Sequence, residues 1–226
     1  MTDWTGIRER VLALREADTQ PVFGARAHGF ELEDPLTAQE LAELEAQLGV
    51  ELPAGYRGFL LEVGAGGAGP AYGVFPVLRK EGAWSWQGDG ADLADLGLAG
   101  QPFPGRLGAE LLAALHADVP DQDDFPDAEA FAKAMAAFEE ENERALETAW
   151  SPEQTRGALC LCHIGCALRK WLVLTGPQRG TIWNDDRADD ADLTPLLLDG
   201  EPATFERWYL LWLEDAETKA KAAQQT

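Results

Sequence analysis

The sequence predicts an α+β fold: a mainly antiparallel sheet flanked by helices, with an N-terminal helix and a helical insertion. Three stretches carry that expectation. Residues 36–63 read as two consecutive helices with marked ends. Residues 158–183 read as short apolar strands, and residues 204–212 open a helix with an aromatic stripe. Strands joined by connections too short for a crossover must be antiparallel neighbours.

In chain order, Trp4, Ile7, Val11 and Leu14 give residues 2–17 an amphipathic helical stripe behind a Thr2/Asp3 cap. Pro21, Gly24 and Gly29 then interrupt regular structure. Thr37 and Glu40 have the spacing of a capping box, which satisfies two orphan backbone donors reciprocally, and Leu36 and Leu41 stand where a hydrophobic staple closes over it. Leu41, Leu44 and Leu48 fall on one face. Gly49 is placed for the left-handed residue that ends a helix, with Val50 able to fold back on Leu44. Pro53 suits the first turn of a second helix, where Tyr56, Phe59, Leu60 and Val63 repeat at helical spacing.

A glycine-rich loop, residues 64–70, leads into a strand over Ala71–Leu78 that Pro76 pushes toward a sheet edge. Trp84 and Trp86 mark a further short strand, and Gly108–His116 a short helix. Asp127 caps a long helix reaching about Thr148. Phe131, Met135, Phe138, Asn142 and Leu146 track one side of it, and Glu139, Glu140, Glu141 and Glu143 its solvated side. In the β-rich block, the run Leu168–Thr175 is apolar on both faces and reads as a central, doubly covered strand. Thr204 starts the last helix, with Phe205, Trp208, Tyr209 and Trp212 in its stripe. The pattern fades after Ala216, so the tail is expected to fray.

Composition narrows the function classes. The 226 residues are 46% hydrophobic and include eight Trp, as a globular domain does. Forty Asp and Glu oppose 18 Lys and Arg, a net charge of −22. Such a surface repels phosphate backbones, which speaks against nucleic acid, and attracts basic partners. Three clustered Cys make a poor disulfide framework. No apolar run approaches the ~20 residues that span a bilayer, and residues 1–18 lack the apolar core of a signal peptide. A reduced cytoplasmic protein with no membrane segment is expected.

No motif of cofactor or metal chemistry stands out. The glycine loop lacks the Gly-Lys-Ser/Thr ending of a phosphate loop and precedes a strand, whereas a phosphate site needs a helix N-terminus after the loop. The acidic run 118–129 lacks the Gly and terminal Glu of a calcium loop. Cys160, Cys162, His163 and Cys166 are zinc-type ligands, but on a strand Cys160 and Cys162 lie ~6.8 Å apart with His163 on the opposite face. They read as small buried hydrophobes. No catalytic residue, metal or cofactor is assigned. Trp171, Trp208 and Trp212 read as core. Trp183, beside the loop Asn184–Asp192, is the candidate surface anchor, with Asp185, Asp186, Asp189 and Asp190 as candidate partner-binding carboxylates.

The run Leu36-Thr37, Leu44-Glu45, Leu48-Gly49-Val50, Leu52-Pro53, Tyr56-Arg57 and Phe59-Leu60, followed by Gly64–Gly69 and Tyr72-Gly73, resembles the opening signature of the SUKH superfamily of Smi/Knr-type proteins. Gly165-Cys166, Trp171–Leu174, Ile182-Trp183 and Phe205, Trp208 and Trp212 are similar to the rest of its pattern, in order. The loop departs from the pattern at Ala65-Gly66-Gly67, where an Asn usually precedes the glycines. The resemblance implies one SUKH-like domain over 1–226, with a core at 36–78 and 158–214, an N-terminal extension at 1–35 and an insertion at 80–157. It also implies a non-enzymatic protein-binding role: an immunity protein neutralising a toxin domain, here a basic one, or an intracellular regulatory scaffold. A zinc-dependent enzyme using Cys160–Cys166 is the third reading. The matching positions are structural, so they carry the fold across but not a binding site.

Overall fold

The computed structural model describes residues 3–17 and 22–224. The expected roles of Thr2 in a cap and of Pro21 as a break lie outside them. Helix α1 (Ile7–Ala13) begins after a left-handed Gly6 with no side-chain cap. Asp3 instead closes a turn one step earlier, accepting from the Thr5 amide at 2.9 Å. Helix α2 (Ala25–His28) is a single turn between left-handed Gly24 and Gly29.

Helix α3 (Ala38–Leu48) starts on the complete capping box: Thr37 Oγ1 accepts from the Glu40 amide at 3.2 Å and Glu40 Oε2 accepts from the Thr37 amide at 2.8 Å. These bonds hold the Glu40 carboxyl below its ordinary range. Gly49 ends the helix at φ 67°. Pro53 stands at the N-cap of α4 (Ala54–Glu62), one position before the expected one, because its ψ of 139° is still extended.

The glycine loop is a packing device. Added Cβ atoms would stand 2.5 Å from Pro76 Cα at Gly66 and 2.4 Å from the Glu31 carbonyl at Gly67. The amides of Gly64, Ala65, Gly67 and Ala68 all donate to carbonyls of the protein, at Phe59, Asp34, Val74 and Glu31. An anion would find those donors taken.

Strands β1 (Val77–Lys80) and β2 (Ala83–Trp86) form a hairpin across Glu81 and Gly82, both at positive φ, the signature of a tight primed turn. Regular pairing begins only after Pro76. Residues 72–75 instead run beside the next sheet, where the Phe75 amide donates to the Leu161 carbonyl at 2.7 Å and the Tyr72 amide to that of His163 at 3.4 Å. Trp84 and Trp86 are buried, and Trp86 Nε1 donates to the Tyr56 hydroxyl at 2.8 Å. The Gln47 amide closes the outer edge of β2 by bonding both the N–H and the carbonyl of Trp84 at 2.7 Å.

Helix α5 (Ala109–Leu115) packs on α6 (Ala128–Trp150), which Asp127 caps through the Ala130 amide at 2.8 Å. Strands β3 (Ala158–Gly165), β4 (Leu168–Val173), β5 (Ile182–Asp185) and β6 (Leu193–Pro195) follow in an antiparallel sheet of order β3-β4-β5-β6. β4 is a central strand, as its two apolar faces require. A bulge between Cys160 and Cys162 replaces the regular alternation assumed for β3. A small hairpin, β7 (Leu197–Leu198) with β8 (Glu201–Pro202), precedes α7 (Phe205–Ala223).

The core centres on the contact of α4 with α7. Phe59 meets Phe205 at 5.3 Å and Tyr209 at 4.8 Å between ring centroids, and Trp4 closes over both Phe59 and Tyr209 at 5.9 Å. The expected fraying of the tail is corrected. α7 continues to Ala223 because Ala216 and Ala220 are buried and Glu217 takes a two-point bond from Arg10, 2.9 Å on each oxygen. Thr37→Ala, which removes one cap acceptor and strands the Glu40 amide, is expected to lower unfolding stability by about 1 kcal/mol in urea denaturation. An unchanged midpoint would show that the box contributes nothing.

Candidate protein-binding site

One end of the four-stranded sheet gathers the chemistry. The register aligns His163 with Arg169 and Arg169 with Asp185, and Asp185 in turn with Leu193. The acidic loop leaves this end after β5, while Tyr72 reaches the same end through its bond to the His163 carbonyl.

Within the loop, the five expected contact residues separate into two groups. Trp183 is buried, 5% exposed, and sits edge-on to Phe103 at 4.9 Å with Nε1 donating to Thr181 Oγ1 at 3.2 Å. Asp185 is 1% exposed. It accepts from Trp171 Nε1 at 2.9 Å and from Arg187 Nε and Nη2 at 2.7 and 2.6 Å. The surface placement expected for these two is therefore corrected. Trp183 and Asp185 are two apart on β5 and share its covered face. The cover over Trp183 includes Phe103, from a segment without periodicity that the sequence reading could not place.

Arg187, which sequence reasoning did not single out, locks the loop. Its Nη1 donates to the Ala149 carbonyl at 2.5 Å and its guanidinium lies 4.6 Å over the Trp150 ring. A cation at the last turn of α6 also meets the negative end of that helix. Asp192 holds the other flank, accepting from the Leu107 amide at 2.8 Å, and His116 bonds the Asp190 carbonyl. What the loop offers to solvent is half-buried Asp186 and exposed Asp189 and Asp190.

The cysteine cluster is spread by its surroundings. Cys160 and Cys162 are buried, and burial raises both thiols, Cys162 to about 12, far from thiolate at neutral pH. Cys162 Sγ donates to the Pro70 carbonyl at 3.2 Å, Cys166 is exposed on the β3–β4 turn, and the His163 ring stacks on Tyr72. Among the described residues no group of three or more His, Cys, Asp or Glu is placed to hold a metal ion.

On the Tyr72 side of the same end lies a hollow of about 520 Å³, whose lining includes His28, Glu31, Glu33, Tyr72 and Gln87. His28 Nδ1 accepts from the Phe30 amide at 3.1 Å, and burial lowers this imidazole to about 4.

A helix pair closed by a glycine loop, then an antiparallel sheet and an aromatic C-terminal helix, define an α+β module. The family model described as the SMI1/KNR4 family (SUKH-1) matches residues 35–183, and the chain belongs to that family. The match begins just before the α3 capping box and ends on β5. No curated protein and no solved structure matches the chain. Membership fits an immunity or regulatory module that works through protein–protein contact. No helix among the described residues is long and apolar enough to cross a membrane.

Two measurements probe this geometry. Arg187→Ala leaves Asp185 charged and buried without its partner, an expected loss of about 3–5 kcal/mol in chemical denaturation. A loss below about 0.5 kcal/mol would mean that the loop is not locked this way. For His28 the folded pKa lies below the ordinary 6.5, so the unfolded chain takes up the proton first as pH falls. Stability should therefore decline between pH 6.5 and about 4. In His28→Asn, whose amide oxygen can replace Nδ1 as acceptor, that part of the decline should vanish; identical pH profiles would refute the assignment.

Proposed function

We propose that this protein is a non-enzymatic cytoplasmic immunity protein that binds a basic toxin domain and occludes it. Family membership carries the reading, because it fits a module acting by protein contact rather than by catalysis. The net charge of −22 supports a basic partner. A field of that size speeds the encounter with an oppositely charged protein and weakens with salt. In this reading Asp186, Asp189 and Asp190 are the carboxylates that meet the partner, while Trp183 and Asp185 hold the loop from beneath. A rigid loop suits the role, since little ordering entropy is then lost on binding.

The same membership supports a regulatory scaffold as the second reading. The two differ in their partners: an immunity protein has one tight, toxic, basic partner, and a scaffold has several weak ones.

Co-purification from the native host at low salt, followed by a salt titration of the complex, is the discriminating experiment. One basic toxin domain that binds tightly is expected; recovery of several weak, non-toxic partners would replace the proposal with the scaffold reading, and recovery of none would defeat it. With the toxin in hand, the triple variant Asp186→Lys, Asp189→Lys, Asp190→Lys should slow association at least tenfold at low salt. An unchanged rate would remove the loop from the interface.

A further inference from the structure

The loop carboxylates account for attraction but offer no recess for a partner's side chain. The opposite side of the same sheet end does. Phe23 and Tyr72 are 59% and 42% exposed, large aromatic groups held in water with their ring centroids 5.3 Å apart. Tyr72 in turn stacks on His163 at 5.4 Å with planes 27° apart. The arrangement is fixed by backbone packing. A Cβ at Gly24 would fall 1.6 Å from the Ala71 carbonyl oxygen, and Ala71 itself takes a left-handed φ of 52°. That close approach and that turn hold the Phe23 and Tyr72 segments together, so the rings stand as a preformed wall.

Behind that wall lies the hollow of about 520 Å³, with Tyr72 as the shared side. Its charged lining consists of Glu31 and Glu33, and its one imidazole, His28, is neutral at pH 7 because burial takes it to about 4. Glu31 is engaged by Arg15 at 3.2 Å, a pair in which both side chains are about half exposed or more. Arg8 bonds the Glu33 carbonyl at 2.8 Å rather than its carboxylate. Arg26 lines a separate neighbouring hollow together with Phe23 and Tyr72. The Tyr72 side of the wall and the Glu33 carboxylate, with Glu31 shared with Arg15 and no cation in the lining, form a receptor for a positive side chain. Arginine fits best, because its planar guanidinium can stack on a ring while its N–H groups reach carboxylates in the same plane.

We propose that this hollow seats an arginine of the basic protein partner, as the anchor of an interface that continues to the acidic loop. The inference rests on the partner being a basic protein. The spacing allows one partner to cover both places. Tyr72, His163, Arg169 and Asp185 lie on adjacent strands or their extension, three steps of ~4.8 Å, hence ~14 Å from end to end. A standard interface buries ~800 Å² on each partner and spans more than that.

The probe is a short blocked peptide, Gly-Arg-Gly, titrated into the isotope-labelled full chain at physiological salt and followed by NMR. Its citrulline counterpart, which keeps the shape and loses the charge, is the control. Saturable shifts at Tyr72, His163 and Glu33 are expected with arginine and not with citrulline. Tyr72→Ala and the double variant Glu31→Gln, Glu33→Gln should each weaken the peptide at least tenfold, while Tyr72→Phe stays within about twofold of the unaltered chain. Both sites are solvent-facing, and circular dichroism checks that the variants remain folded. Shifts confined to residues 186–190 or to α6, no saturable shift at all, equal binding of citrulline, or an unaffected Tyr72→Ala would each overturn the proposal. The outcome is separate from that of co-purification. A toxin partner with no arginine site here removes the hollow alone, and an arginine site with no toxin partner removes the immunity reading alone.

Discussion

Asp185 and Arg187 are taken out of water together, and the position of the acidic loop depends on what surrounds them. Burying either ion alone would cost several kcal/mol, and mutual attraction offsets this only when the other hydrogen-bonding positions are also filled. Here they are filled. Trp171 Nε1 occupies one carboxylate oxygen, two guanidinium nitrogens bind the carboxylate, and a third reaches the Ala149 carbonyl. The pair therefore ties three parts of the chain to one point: the central strand β4, the end of β5 and the last turn of α6. A loop this rich in aspartate would otherwise repel itself away from the sheet. With its one arginine turned inward, the loop leaves Asp186, Asp189 and Asp190 toward solvent at a fixed height above the sheet end.

How much of this was legible in the sequence follows from the range of each signal. The α3 capping box, Gly49, the central character of β4 and the Thr204 cap are local patterns, and each appears where its spacing placed it. Residues 71–75 were read as the start of a strand that begins only at Val77, since their pairing partner is the distant edge of β3. The tail of α7 was read as frayed because Ala216 and Ala220 carry little hydrophobic signal, although they fit a tightly packed helix face. Trp183 seemed exposed because its neighbours in sequence are acidic, whereas burial is decided by neighbours in space, here Phe103. For the same reason Arg187 and the Phe23–Tyr72 wall passed unnoticed. A lone arginine in an acidic run and single aromatics among glycines have no periodicity to betray them.

Apart from Tyr72, the family signature and the candidate contact surfaces occupy different residues, and this has a physical basis. Leu44, Gly49, Pro53, Phe59 and the glycine loop are fixed by packing: the glycines at 66 and 67 leave no room for a Cβ, and Phe59 is fully buried. None of that constrains Phe23, Glu33 or Asp189, whose side chains face solvent or the hollow. A fold held by interior contacts can carry many different outer surfaces. Membership in the family accordingly specifies the scaffold and not the partner.

The two parts of that end would contribute unequally to recognition. Exposed carboxylates such as Asp189 and Asp190 act through solvent, where screening over ~8 Å at physiological salt leaves each contact worth well under 1 kcal/mol. Their combined field raises the rate of encounter with any basic protein and so discriminates poorly among them. A guanidinium enclosed between Tyr72 and the Glu33 carboxylate would interact at closer range and with less water between. Its absence from a competitor would leave the hollow unfilled. Speed would then come from the loop and the net charge, and selectivity from the recess. High salt would slow association while changing dissociation much less, because the contacts that decide dissociation are the ones shielded from the counterions.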